Sequence, residues 1–191
     1  IENKRIKEKT LNLLLKDARR GILPNILIDT TLQSKNKIKD ALPSLLQAGY
    51  DPKNIHIIWV LTDYAVAIEQ NKQRERVVPE DIMLITHEGA ATTMYNFIKH
   101  GTPRTIDGGV YIVLGGKENT VLYTDSEGKP IKTGKNKDKI VVKDFSYITM
   151  KTPGRRMTKS SDLKKQAYKW IMDKAPETLT NKLFDKEEET S

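Results

Sequence analysis

Through the first half of the chain, apolar residues alternate between helical spacing and short unbroken runs. Residues 3 to 19 set Ile6, Leu11, Leu14, Leu15 and Ala18 among basic positions. That spacing predicts a helix with a charged outer face, stopped at Gly21. Asn25 to Ile28, entered through Pro24, reads as a first strand. Ser34 to Ala48 reads as a helix despite Pro43, with Ile38, Leu42, Leu45 and Leu46 on one side and Gly49-Tyr50-Asp51-Pro52 closing it. Ile55 to Leu61 (IHIIWVL) is nearly continuous in apolar character, the pattern of an interior parallel strand covered on both faces. Helical spacing resumes over Tyr64 to Arg74, through Ala65, Ala67 and Ile68. It returns over Glu80 to Lys99 with Ile82, Ile85, Ala90, Met94, Phe97 and Ile98. Helix, strand, helix, strand, helix is the order of an α/β fold with a parallel sheet, whose ligands sit beyond the C-terminal ends of the strands.

The texture changes after His100. Gly108 to Leu114 (GGVYIVL), Thr120 to Tyr123 and Ile140 to Tyr147 are strand-like. They are separated by Gly115-Gly116, Ser126-Glu127-Gly128 and a Lys/Asn-rich loop at 132 to 139. Turns of this kind favour antiparallel hairpins. The expected arrangement puts Tyr111 to Val113 on an edge of the main sheet and the rest in a β-rich antiparallel extension. Lys151 to Lys159 follows as a basic loop, Ser161 to Asp173 as a last helix, and an acidic, frayed tail runs from Asp185. Three regions result: an α/β core over 1–103, the β-rich extension over 104–157, and a C-terminal helix with its tail over 158–191.

Length and composition narrow the function. At 191 residues the chain holds one domain with a sizeable core. A net charge of +8 favours anionic partners such as nucleotides, nucleic acid or an acidic protein surface, and equally describes a plain basic surface. The absence of cysteine excludes disulfides, thiolate metal sites and a cysteine nucleophile. The three histidines stand far apart, which argues against a histidine zinc site. No apolar run approaches the ~18 residues of a membrane span, and no signal-peptide pattern opens the chain, so a cytoplasmic protein without membrane contact is expected. The chain starts with Ile1 instead of Met, and a processed or partial product is the expectation.

The segment with most chemical content is Pro24 to Thr31, PNILIDTT. A short apolar run ending in a carboxylate and two hydroxyls is how a nucleotide-binding α/β sheet presents ligands to Mg²⁺ and phosphate. Asp29 either holds a metal-bound water and takes a proton from a substrate hydroxyl, or caps the following helix together with Thr30. Thr30 and Thr31 offer further oxygens to metal or phosphate. Asp63, just before a helix, reads as an N-cap. Lys72, Arg74 and Arg76 put cations on one short segment suited to gripping phosphate and neutralising charge on a transferring phosphoryl group. The same alternation in RERVVP also describes surface ion pairs, and the connector is either a mobile lid or a solvated turn. His87, beside Glu88 and without a matched nucleophile, reads as a surface or packing residue.

No GxxxxGK[ST] loop occurs anywhere in the chain. Gly115-Gly116-Lys117, Gly128-Lys129 and Gly134-Lys135 have the wrong spacing and read as hairpin turns. Lys132, Lys135, Lys137 and Lys139, with Lys151, Arg155, Arg156 and Lys159, form a basic region over 132–159. It suits protein partners or a nucleic-acid backbone, and too few aromatics interleave with it to make a stacking platform.

Pro24 to Lys99 resembles the middle of the zeta-toxin-like P-loop kinases. The likeness rests on NILIDTT, the helix with Gly49-Tyr50, IHIIWVL, the helix from Tyr64 to Gln73, and RERVVPEDI followed by an amphipathic helix. It implies a P-loop-kinase-like parallel sheet flanked by helices. It also implies ATP- and Mg²⁺-dependent transfer of a γ-phosphoryl group to a hydroxyl of a small molecule. Asp29 is then the group that acts on the hydroxyl and holds Mg²⁺, Thr30, Thr31 and Lys72 face the nucleotide, and Arg74 and Arg76 neutralise phosphate charge. The Walker A lysine is missing, so this reading expects a phosphate loop upstream of Ile1. Two others stand beside it: a catalytically inactive structural or adaptor protein on the same scaffold, as in a phage particle, and a nucleic-acid-binding accessory protein.

Overall fold

The computed structural model describes residues 9, 12, 13, 15, 16, 21–135 and 139–188, with side chains for all of these except 36, 37, 39–41 and 184–188. The predicted helix over 3–19 falls mostly outside the described residues; those it includes are helical.

A three-stranded sheet organises the chain, in the order β1 (Ile57–Leu61), β2 (Val110–Leu114), β7 (Tyr147–Lys151). β1 and β2 run parallel with Ile57 opposite Val110 and Leu61 opposite Leu114, whereas β7 returns antiparallel to β2. Helix α1 (Lys35–Gln47) precedes β1, and helices α2 (Tyr64–Lys72) and α3 (Glu80–His100) form the crossover between β1 and β2. α3 carries Glu80 and Asp81 in its first turn and Lys99 and His100 in its last, each charge favourable to the helix dipole. Gly101 stops it with a φ of 89°, a value that costs glycine little. Between β2 and β7 the chain makes a nested antiparallel excursion. β3 (Thr120–Leu122) pairs with β6 (Val142–Phe145), and β4 (Lys132–Thr133) pairs with β5 (Lys139–Ile140). Helices α4 (Ser161–Lys174) and α5 (Glu177–Glu188) complete the described chain. The fold is thus mixed α/β, with helices against a small sheet and a further antiparallel β-rich region.

Alternation along each strand assigns the two faces of the sheet. On one, Leu61, Val110, Ile112, Leu114, Ile148 and Met150 join Met94, Phe97 and Ile98 of α3, Ala167 and Ile171 of α4 and Leu179 of α5 in a single core. Each fully buried large side chain there contributes about 1.5–3 kcal/mol. On the other lie Ile58, Val60, Tyr111, Val113 and Tyr147, with Ile58 61 %, Val60 58 % and Tyr147 56 % exposed. At the end of the sheet, the buried Lys151 ammonium pairs with the Asp107 carboxylate (2.9 Å) and donates to the Gly108 carbonyl (3.0 Å).

Several expectations change. Asn25–Ile28 is not a strand: residues 22–33 follow an irregular path, with Leu27 92 % exposed. Among the described residues β1 is therefore an edge strand, with Ile58 and Val60 exposed on one face, although its composition suits an interior position. β2 lies at the centre of the sheet and not at its edge, because β7 pairs along its other side. The chain from Asp185 continues α5 to Glu188. Lys151 belongs to β7 and is buried, so the basic loop begins after it.

Candidate functional site

A cavity of about 530 Å³ opens between the outer edge of β1, α1, α3 and the irregular segment Ile28–Leu32. Its floor is apolar, from Ile38, Leu42 and Leu45 of α1 and the whole length of β1. Its polar groups come from separate stretches of sequence. Asp29, Thr30 and Thr31 line it from the irregular segment, His56 and Thr62 from either end of β1, Gln70 and Arg74 from α2 and its exit, Thr86 and His87 from α3, and Lys174 from the end of α4.

Local structure explains several of these placements. Asp29 is not a helix cap. α1 starts at Lys35 behind Ser34, five residues further on, which leaves the Asp29 carboxylate exposed at the cavity. Gln33 is pressed against α3, where a Cβ on Gly89 would lie 2.3 Å from the Gln33 carbonyl oxygen. Only glycine permits this approach, which seats the Asp29–Gln33 segment along the helix. Tyr50 fixes the other end by donating from its hydroxyl to the Pro24 carbonyl (2.5 Å). Asp63 caps α2 as its position predicts, accepting from the N–H groups of Ala65 (2.9 Å) and Val66 (3.4 Å).

The connector holding Arg74 is tied by a residue that sequence reasoning missed. Buried Asn71 donates to the Val78 carbonyl (2.7 Å) and accepts from the Val78 N–H (3.0 Å), closing the loop 72–77 upon itself. A polar residue in the last turn of a predicted helix carries no distinctive signal, since its partner is a backbone seven residues away. Arg74 lines the cavity, whereas Arg76 and Lys72 do not. Lys72 instead pairs with Glu69 (2.7 Å), and the hydrogen bond to that carboxylate raises its pKa.

His87 packs between helices, as its sequence position suggests, and also faces the cavity. It is half-buried, faces the cavity, and meets the Tyr64 ring edge-on at 5.2 Å between centroids. Burial pushes its imidazole below the ordinary value, favouring the neutral ring. Burial, then Glu80 and Glu88, raise the Tyr64 phenol.

Among the described residues, no three His, Asp or Glu side chains converge to hold a metal ion. One carboxylate and two hydroxyls at Asp29–Thr31 fit Mg²⁺ only in its sparsest mode, where waters and substrate phosphates supply most ligands. Gly116, with φ 115°, leads into the short 3₁₀ turn Lys117–Asn119 between β2 and β3, a connection and not a phosphate cradle. Of the basic region, Lys132, Lys135, Lys139, Arg155, Arg156 and Lys159 are exposed, while Lys137 lies outside the described residues. Among the described residues, no helix is long and apolar enough to cross a membrane. Compared with known protein families, curated proteins and solved structures, the chain shows no significant match.

Proposed function

We propose that this chain belongs to a small-molecule kinase with a P-loop-kinase-like sheet, transferring the γ-phosphoryl group of ATP to a substrate hydroxyl. The observation that carries this reading is the convergence on one cavity of Asp29, Thr30 and Thr31 with Arg74, more than forty positions away in sequence. Asp29 accepts the proton of the attacking hydroxyl and orients its oxygen. Thr30 and Thr31 offer hydroxyls to phosphate oxygens. Arg74 spreads the charge that builds on the phosphoryl oxygens, with Arg76 as a second exposed cation on the same connector. Mg²⁺, held by Asp29 through water, would neutralise charge on the β- and γ-phosphates when bound. The reading requires a phosphate loop that these residues do not contain.

Calorimetry with Mg-ATP on the polypeptide as its gene encodes it tests this directly. Binding, with turnover lowered about a hundredfold or more in Asp29→Asn, is the expected result. Arg74→Ala lowers turnover by about a thousandfold and Arg76→Ala by much less. Absence of nucleotide heat overturns the kinase. It would leave the structural or adaptor reading, which has its own support: Val121, Tyr123, Ile140, Val142 and Phe145 stand exposed on the β-rich extension, beside Lys132 and Lys139, as a surface for another protein.

A further inference from the structure

Lys174 occupies a place where the pattern of its own helix calls for an apolar residue. In α4, Ala167 and Ile171 are fully buried, and Lys174 follows Ile171 by three positions on the same stripe. Its side chain is accordingly only 17 % exposed, against 64 % for Lys169 on the outer face, which pairs with Asp173 (3.3 Å). The chain is held on both sides of it: Ala175 donates its N–H to the Ile171 carbonyl (2.9 Å), and Pro176 and Leu179 are buried just beyond. Among the described residues the Lys174 ammonium makes no hydrogen bond. Its ion-pair partner Glu118 stands at 3.7 Å, is itself 63 % exposed, and already accepts from the Asn119 side chain (2.8 Å). An ammonium drawn largely out of water with its donors unfilled favours an anion.

The fold sets where that anion would lie. Lys174 lines the cavity together with Thr62, which follows the last residue of β1. Gly115, just past β2, makes room for Thr62, since a Cβ there would lie 2.6 Å from the threonine hydroxyl oxygen. Glu118 belongs to the turn that follows. Lys174 therefore stands at the carboxyl ends of the parallel pair β1 and β2, the end at which open α/β sheets take their ligands.

The charge of the cavity points the same way. Asp29, Arg74 and Lys174 are its carboxylate, guanidinium and ammonium, two cations to one anion, and burial favours the neutral ring of His87. The cations come from elements a hundred positions apart, Lys174 from the end of α4 and Arg74 from the connector that Asn71 ties. Two cations on separate elements suit an anion with more than one charged group, and Thr30, Thr31 and Thr62 offer hydroxyl donors to its oxygens. Asp29 repels such an anion unless a divalent cation lies between them, as the kinase reading already has it.

We propose that Lys174 and Arg74 together bind a polyphosphate in this cavity, Lys174 as the fixed contact at the ends of β1 and β2 and Arg74 as the contact carried on the 72–77 loop. The inference deepens the kinase reading, and it rests on that reading for the identity of the polyphosphate as ATP. The competing role of Lys174 is structural, as a cation at the end of α4 and partner of Glu118.

Calorimetry with magnesium pyrophosphate on the intact protein is the test, with ATP and AMP for comparison. Pyrophosphate and ATP are expected to bind, and AMP much more weakly. Lys174→Gln and Arg74→Gln each weaken pyrophosphate by about tenfold or more, whereas Lys132→Gln, in the exposed basic region, leaves it unchanged. Amine acetylation read by mass spectrometry needs no variant: pyrophosphate slows labelling of Lys174 several-fold and leaves Lys169 as it was. Where Lys174→Gln does not fold, the labelling decides alone. Absence of pyrophosphate binding overturns the proposal, and so does binding that survives Lys174→Gln or falls equally in Lys132→Gln. Unslowed labelling of Lys174 with pyrophosphate bound leaves the lysine to its structural role and overturns it too. Protection of Lys174 without phosphoryl transfer keeps the site and defeats the kinase; transfer undiminished in Lys174→Gln keeps the kinase and defeats the site.

Discussion

The two faces of the central sheet are made of the same kinds of residue and live in different surroundings. Val110, Ile112 and Leu114 of β2 are buried under α3, α4 and α5, whereas Tyr111 and Val113, one residue away on the same strand, are only partly covered. β1 repeats the contrast, with Leu61 buried and Ile58 and Val60 open. An apolar run along a strand records that both faces need cover, because its period-2 alternation is absent. It does not record which elements supply the cover.

The contrast is sharpest in stability. Phe97→Ala, which empties a fully buried site on the covered side, is expected to cost about 3–5 kcal/mol in urea unfolding. Ile58→Ala in the 191-residue chain should move stability by less than about 0.5 kcal/mol. A large loss at Ile58 would mean that its face is covered after all.

A second test concerns the ion pair that closes the covered side. Asp107→Ala leaves the buried Lys151 ammonium with only the Gly108 carbonyl, and should cost about 3 kcal/mol. Lys151→Met leaves a carboxylate that is 34 % exposed and can be hydrated, so a smaller loss, about 1 kcal/mol, is expected. Equal losses would show that the pair acts as a unit and that its burial is not one-sided.

On the cavity side, Asp63→Ala removes the side-chain acceptor at the start of α2. It should cost about 1 kcal/mol by thermal unfolding and leave the sheet intact. A loss as large as that at Phe97 would place α2 in the main cooperative core.

The smallest effect is electrostatic. Burial lowers the folded-state pKa of His87, so the unfolded chain takes up that proton first as pH falls. The stability associated with the neutral ring is whole above the ordinary value of about 6.5 and declines as pH drops through it toward the lowered folded value. Melting curves at about pH 7.5 and about pH 5.5 should show a smaller drop for His87→Asn than for the unaltered chain. An identical drop would mean that the ring is hydrated in the cavity and carries none of this dependence.

Much of the local structure was legible. The spacing of Leu42, Leu45, Met94, Phe97 and Ile98 marks α1 and α3 nearly to their ends, and the glycine-bearing turns at 115–116 and 126–128 mark the antiparallel excursion. Asp63 was legible as a cap because its partners are two and three residues away. Asn71 was not, because its bonds close the six-residue loop 72–77, and the cavity-facing side of His87 was not, because its neighbours Thr86 and Glu88 say nothing of the cavity wall.

By itself the sequence determined the elements whose stability is local: helices with an apolar stripe, strands with a long apolar run, caps and turns. It also determined the carboxylate and hydroxyls that end PNILIDTT. Only the tertiary structure decided that Asn25–Ile28 stays unpaired, that β2 and not β1 is the central strand, and that Asp29, Arg74 and His87 share one cavity. Strand pairing and cavity walls depend on contacts between residues distant in sequence, and a strand-like segment pairs only when a neighbour presents a matching edge.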